Sequence, residues 1–284
     1  MEGIQIACGR ITWGRAAPEE QVLAEIARAG YEGTPAGNAA HSAQETLAIY
    51  AKYGLKPAPG YLGAAFWDKD QAETIVQQAV LQARTGRALG CTELYVAANL
   101  TPERRALSGH VRPDDALSQA GFKQMAETLN RVGEATLKED VRICFHNHVG
   151  SFIETRAEID QLFALVDRAL VFLGPDLGHL AWAGDDAVQL CLDYPTSIKT
   201  MHIKDINPAV RAEGVAKGWD YKTFSDHGIF AEIGEGLIDY PAVFEALQKT
   251  GFRGWVMVET DVTQKPSAYE SAVVSRSYLK GIGV

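Results

Sequence analysis

Residues 141–148, VRICFHNH, are a β-branched and aromatic run that ends in a cluster of imidazole and amide groups. Residues 156–166, RAEIDQLFALV, carry apolar side chains at helical spacing, and residues 170–173, LVFL, are again apolar throughout. An apolar strand, an amphipathic helix and a second apolar strand form the pattern of a parallel unit covered on both faces. Working outward, the unit repeats. On the N-terminal side lie a short apolar run at 4–8, a helical segment at 18–29 and a strand opening at Gly33. They are followed by a helix at 42–52, a segment at 55–61 weakened as a strand by Pro57 and Pro59, a helix at 71–89, a strand at 93–97 and a helix at 113–138. On the C-terminal side are a helix at 185–192, a strand at 197–203, a helix at 240–249, a strand at 255–258 and a last helix at 267–279. Gly54, Gly90 and Gly251 stand where helices stop. Eight β-then-α units predict an α/β chain of one domain, residues 1–284, folded as a (β/α)8 TIM barrel. No GxGxxG follows the first strand, which argues against a doubly wound nucleotide-binding sheet. The stretch 206–238 reads as the longest irregular segment; with Trp219, Tyr221, Phe224, His227 and Phe230 it could cover a ligand.

A chain of 284 residues, 46% hydrophobic and 22% charged, buries a large core without staples. Its net charge of −9 argues against nucleic acid as a partner, because that binding depends on Lys and Arg neutralising phosphates. No apolar run reaches the roughly 20 residues that span a bilayer, and residues 1–5 have none of the basic and apolar character of a secretory signal. Cys8, Cys91, Cys144 and Cys191 form no CxxC and read as buried free thiols. A cytoplasmic location is expected on these grounds.

The polar residues of interest lie at the ends of the last four strands. His146, Asn147 and His148 end the fifth; Asp176 and His179 follow the sixth. His202, Lys204 and Asp205 end the seventh, and Glu259 and Asp261 the eighth. In a barrel all these ends reach one face, where active sites are built. His, Asp, His and Glu are thereby offered to one volume, a mixed nitrogen and oxygen set suited to a borderline divalent ion. Trp13, Trp67 and Trp182 follow the first, third and sixth strands and could wall a substrate. Arg104, Arg105 and His110, in the polar loop after the fourth strand, are expected on the solvated surface.

Three stretches then carry a resemblance: Pro175-Asp176-Leu177-Gly178-His179, His202-Ile203-Lys204-Asp205, and Gly254-Trp255-Val256-Met257-Val258-Glu259. With Gly30–Thr34 and Gly234–Tyr240 in the matching order, the whole chain resembles the sugar phosphate isomerase/epimerase superfamily, the xylose isomerase-like barrels. The segment 178–184, GHLAWAG, and the His-rich fifth strand are most similar to the inosose dehydratase-like branch. The resemblance implies His146, Asp176, His202 and Glu259 as ligands of one divalent metal ion. Manganese is the first expectation, with cobalt, zinc, iron or magnesium as alternatives. It implies His179 and Lys204 as substrate contacts, and a carbohydrate or cyclitol as the small-molecule substrate. Barrels of this group often pair, so a homodimer is admitted.

Two departures matter. Isomerases of the group usually have Glu where this chain has His146, and Glu near the end of the second strand, where it reads Thr34-Pro35-Ala36. The first removes one of a pair of carboxylates that exchange protons across a sugar carbonyl. Proton abstraction next to a ketone, with Glu259, His148 or His179 as acid and base, leads to isomerisation, epimerisation or β-elimination. The His-for-Glu change tilts the expectation toward elimination, as in dehydration of a keto-inositol, with cleavage of a 3-keto-glycoside (C-deglycosylase-type) as the alternative. A non-catalytic sugar-binding barrel, a metal-free enzyme and endonuclease IV-type phosphodiester cleavage are the remaining alternatives.

Overall fold

The computed structural model describes residues 3–36 and 41–284. Strand β1 (Ile4–Cys8) pairs in parallel with β2 (Gly33–Pro35), which pairs with β3 (Lys56–Ala58). A second run begins at β4 (Gly60–Ala64) and continues through β5 (Glu93–Ala98), β6 (Arg142–His146) and β7 (Val171–Leu173), all parallel. Strand β8 (Met201–Ile203) pairs with β11 (Gly254–Val258), which returns to β1. Single parallel bridges, Leu173↔Ile198 and Asp176↔His202, join β7 to the β8 side. Strands β3 and β4 are one stave broken at Pro59, so eight staves follow one another around the barrel. Proline has no N–H to give to a ladder. Pro57 and Pro59, which weakened the strand in the sequence, therefore shorten it without abolishing it.

Helices on the outside bury one face each. Helix α1 (Glu19–Ala29) seats Val22, Leu23 and Ile26 in the core; α2 (Ala43–Lys52) starts on a capping box of Ser42 and Glu45. Helices α3 (Ala72–Ala88), α4 (Pro102–Arg105) and α5 (Gln119–Leu137) follow, then α6 (Arg156–Phe163), α7 (Leu177–Ala183) and α8 (Ala187–Asp193). The second-half helices include α11 (Tyr240–Lys249) and α12 (Ala268–Gly281). All four cysteines are buried and free, as the sequence indicates. Among the described residues no helix is long and apolar enough to cross a membrane.

Three expectations are corrected. The segment 113–138 is not one helix: a single 3-10 turn at Pro113–Asp115 precedes α5, whose first turn is capped by Ser118 accepting from Gly121 N. The stretch 206–238 is not irregular. Asn207 caps α9 (Pro208–Lys217), which has Pro208 at its first position, and Asp220 caps α10 (Tyr221–Asp226). Short antiparallel strands β9 (Asp205–Ile206) and β10 (Phe230–Ala231) close the excursion. Arg104 is not on the solvated surface: it is 1% exposed and makes a bidentate bond to Glu158 at 2.8 and 3.1 Å.

Candidate metal centre

The helix that follows β7 sets the geometry of the site. Asp176 is the N-cap of α7, and its Oδ1 accepts the His179 N–H at 3.0 Å. Asn147 holds the same residue from behind: its Oδ1 accepts Asp176 N–H at 3.0 Å and its Nδ2 donates to Asp176 O at 3.1 Å. One carboxylate oxygen is thus used by the fold, and Asp176 Oδ2, fully buried, accepts no aligned hydrogen bond. Around it lie His146 Nε2 at 3.7 Å and His202 Nδ1 at 4.0 Å, and Glu259 Oε2 lies 3.0 Å from that same His202 nitrogen.

The 3.0 Å spacing is that of two ligands of one ion, and the 3.7 and 4.0 Å spacings are wider than the ideal by only a few tenths of an ångström, within reach of a small side-chain adjustment. Two ligand atoms each about 2.1 Å from a metal, at tetrahedral to octahedral angles, lie about 3.0–3.4 Å apart. The two carboxylates, Asp176 and Glu259, also balance a divalent charge. The donor atoms of His146, Asp176 and His202 lie within 4.8 Å of one another, as do those of a second group, His148, His179 and Asp261. Burial and the neighbouring His202 hold His146 well below the usual imidazole range, so it is a neutral donor.

Lys204 lies among the acids. Its Nζ is 3.0 Å from Asp176 Oδ2, 3.3 Å from Glu259 Oε2 and 2.7 Å from Asp261 Oδ1. Burial opposes its charge, but the three carboxylates more than offset that and hold the ammonium well above its ordinary value. Burial likewise opposes ionisation of Glu259; His202 and Lys204 outweigh it and bring the carboxyl down to about 2. Asp261 moves the other way, raised by burial against the relief that Lys204 gives.

Hydrogen-bond partners fix two tautomers. His148 Nδ1 lies 2.7 Å from the Val149 carbonyl, which can only accept, so Nδ1 carries the proton and Nε2 is a free base. Lys204 Nζ, which can only donate, lies 3.4 Å from His179 Nε2, so that ring is protonated at Nδ1. Burial first, and then nearby positive charge, lowers the proton affinity of both rings. The two imidazoles face each other at 3.6 Å between centroids, with Tyr221 of α10 parallel to His148 at 6.1 Å and 18°. The excursion 206–238 thus lays an aromatic ring over the mouth.

The structure brings His146, His148, Asp176, His179, His202, Lys204 and Glu259 together. Of the tryptophans, Trp182 is fully buried behind His179, stacked at 6.0 Å and 24°, so it reaches the mouth through that ring. Trp67 packs edge-on against Phe152, and Trp13 donates to Glu25 of α1 at 2.6 Å. Asp205, at a strand end like the others, serves the fold: it accepts N–H groups of Ile206, Gly234, Gly236 and Ile238 at 2.9–3.1 Å. Sequence reasoning missed Tyr61 and Tyr95. Their rings meet His146 edge-on at 5.4 and 5.8 Å, and Tyr95 also meets His202 at 4.3 Å. Tyrosines on inward positions of β4 and β5 were the available signal.

Known proteins share this architecture. The chain is 29% identical over 270 residues to inosose dehydratase of Lacticaseibacillus casei, covering 94% of this chain and 90% of that protein. Among solved structures it is similar to the IolI protein, solved with a bound zinc atom (TM-score 0.74, 17% identity, 98% and 97% of the two chains covered). It is equally similar to the probable 3-DHS dehydratase AsbF of Bacillus anthracis (TM-score 0.74, 14% identity, 97% and 98% covered). The family model described as "Xylose isomerase-like TIM barrel" matches residues 23–278. With that match over most of its length, the chain belongs to the xylose isomerase-like TIM barrel family.

Proposed function

We propose that this chain is a divalent-metal-dependent enzyme that removes a proton next to the carbonyl of a keto-cyclitol or keto-sugar, and that dehydration of an inosose is its reaction. The observation that carries this reading is Asp176 Oδ2, buried and without an aligned donor, among His146, His202 and Glu259. The likeness to an inosose dehydratase over nearly the whole chain supports the substrate class.

His146, Asp176, His202 and Glu259 would hold the ion, with manganese, cobalt, zinc and iron all suited to the donor set. When bound, it supplies Lewis acidity to a substrate carbonyl. The remaining chemistry belongs to the chain. His148 Nε2, with its proton fixed on the far nitrogen by the Val149 carbonyl, accepts the proton from carbon. Glu259, held ionised down to about pH 2, is a poor base and serves as an anionic donor. Lys204 aims an ammonium at developing negative charge on oxygen, with Asp261 steadying it at 2.7 Å. In dehydration the β-hydroxyl leaves as water with the proton that His148 removed from carbon, while the C–H electron pair becomes the new double bond. Trp13 and Trp67 remain candidate sugar-facing surfaces. A small-molecule substrate in a cytoplasmic setting, with no nucleic acid, completes the reading.

Elemental analysis of the purified chain, beside His146→Ala and Glu259→Ala, tests it. The expected result is about one divalent ion per chain, the composition of a four-donor site, lost in both variants, with turnover of an inosose by the wild type alone. A wild type that takes up no metal on reconstitution overturns the reading. Return of the proton to carbon without water loss would reassign the reaction to epimerisation.

A further inference from the structure

A buried carboxylate outside the metal centre joins two loops of the mouth. Glu154 is fully buried; its Oε1 accepts the Gly109 N–H at 2.7 Å and its Oε2 the Gly150 N–H at 2.8 Å. Gly109 belongs to the loop after β5 and Gly150 to the loop after β6. Each loop backs one of the facing imidazoles. Gly109, at φ 75°, lies so close to Trp182 that a Cβ there would be 2.7 Å from the indole nitrogen, and Trp182 stacks on His179. Gly150 leads into Ser151, whose hydroxyl donates to His148 O at 2.8 Å, and His148 N–H donates to Ile153 O at 3.1 Å.

The arrangement is costly. Arg104 gives its bidentate bond to Glu158 and lies 3.8 Å from Glu154, so two buried carboxylates share one guanidinium. Burial pushes the Glu154 carboxyl up to about 7, against the relief from Gly150, Gly109 and Arg104. Holding both loops at once needs two acceptor oxygens on one side chain, and a glutamine offers one.

We propose that Glu154 is a positioning residue for the reaction: it clamps the loop after β5 to the loop after β6 and so fixes His148 and His179 relative to each other. What the two imidazoles do rests on the function proposed above; the clamp itself does not.

The test is Glu154→Gln, read by kinetics on an inosose, by metal content and by the imidazole resonances of 15N-histidine-labelled protein. The expected result is unchanged metal content and KM and a kcat lower by about tenfold, in keeping with the cost of small misplacements near reacting groups. The resonances of His148 and His179 should move while those of His202 stay. A kcat and imidazole spectrum like wild type overturn the proposal, and so does loss of metal, which would make the effect one on the whole fold. Absence of turnover in the wild type counts against the assigned substrate only, and the imidazole resonances then decide. Should the variant not fold, amide exchange in the wild-type protein decides: the Gly109 and Gly150 protons should be strongly protected, and exchange at the rate of free loop amides overturns the clamp.

Discussion

Replacing Lys204 with methionine keeps the length and apolar stem of the side chain and removes an ammonium that touches three carboxylates at 2.7, 3.0 and 3.3 Å. Without metal, Asp176, Glu259 and Asp261 are then left buried with no lysine to oppose them. Breaking a buried ion pair by deleting one partner costs about 3–5 kcal/mol. At roughly 2–4 °C per kcal/mol in a chain of this size, melting in chelator should fall by roughly 10 °C. A divalent ion restores the missing charge. In the wild type the ammonium and the ion compete for Asp176 Oδ2 and Glu259 Oε2, and a unit charge about 4 Å from a divalent one is repelled by about 8 kcal/mol at an effective dielectric of 20. The stabilisation gained on adding manganese or zinc should therefore be larger in the variant than in the wild type, and binding tighter by at least about tenfold. Thermal unfolding with and without metal, beside titration against a fluorescent chelator, measures both. A variant that melts like wild type in chelator, or gains no more from metal, would refute the view that Lys204 and the ion share the same oxygens.

Other outcomes follow from single contacts. A Cβ at Gly178 would lie 2.1 Å from Lys204 Cγ and 2.6 Å from its carbonyl oxygen. Gly178→Ala should thus cost about 1–3 kcal/mol in a melt by overpacking and displace Lys204, visible as lost turnover. Because Glu154 is raised to about 7, its contribution to stability is full below the unfolded value and is lost as pH rises through 7. Relative to Glu154→Gln, the wild type should lose up to about 3 kcal/mol between pH 4.5 and 8, checked by denaturant unfolding at each pH; a flat difference would contradict this. The four thiols are buried, with Cys91 and Cys191 pushed up to about 12. A thiol reagent should label none in the native protein and all four in denaturant.

The barrel was legible because its signal is redundant. Most staves are apolar runs, the short Gly33–Pro35 and Lys56–Ala58 apart, and the eighth opens on Gly254 and stops before Glu259, where a strand and a loop must be. The clustering of the proposed metal donors was legible for a topological reason: parallel strands deliver their C-terminal ends to one face, so separate sequence positions could be summed into one volume. What escaped depends on partners distant in sequence. Arg104 looks like a loop arginine until Glu158 arrives from the next β-α unit. Helix α7 was hidden because its cap is Asp176, a residue that in the sequence reads as a metal donor; the carboxylate caps the helix with Oδ1 and leaves Oδ2 for the ion proposed above. Helices α9 and α10 were missed although Asn207-Pro208 and Asp220 are good start signals, because their weakly amphipathic faces bury little: Gly214 in one and Phe224 in the other.

The break at Pro59 divides the barrel wall. Strand β3 bonds only to β2, and β4 only to β5, while on the far side two isolated bridges join β7 to the β8 run. The cylinder is thus two curved half-shells with seams at Pro59 and beside Leu173. His146 and Asp176 belong to one half, His202 and Glu259 to the other. An ion held by all four would be a rivet across the second seam, placed at its open end. Hydrogen exchange should then show two separately opening sub-sheets without metal and one jointly protected cylinder with it, so that binding at the mouth is read in the amides of the wall.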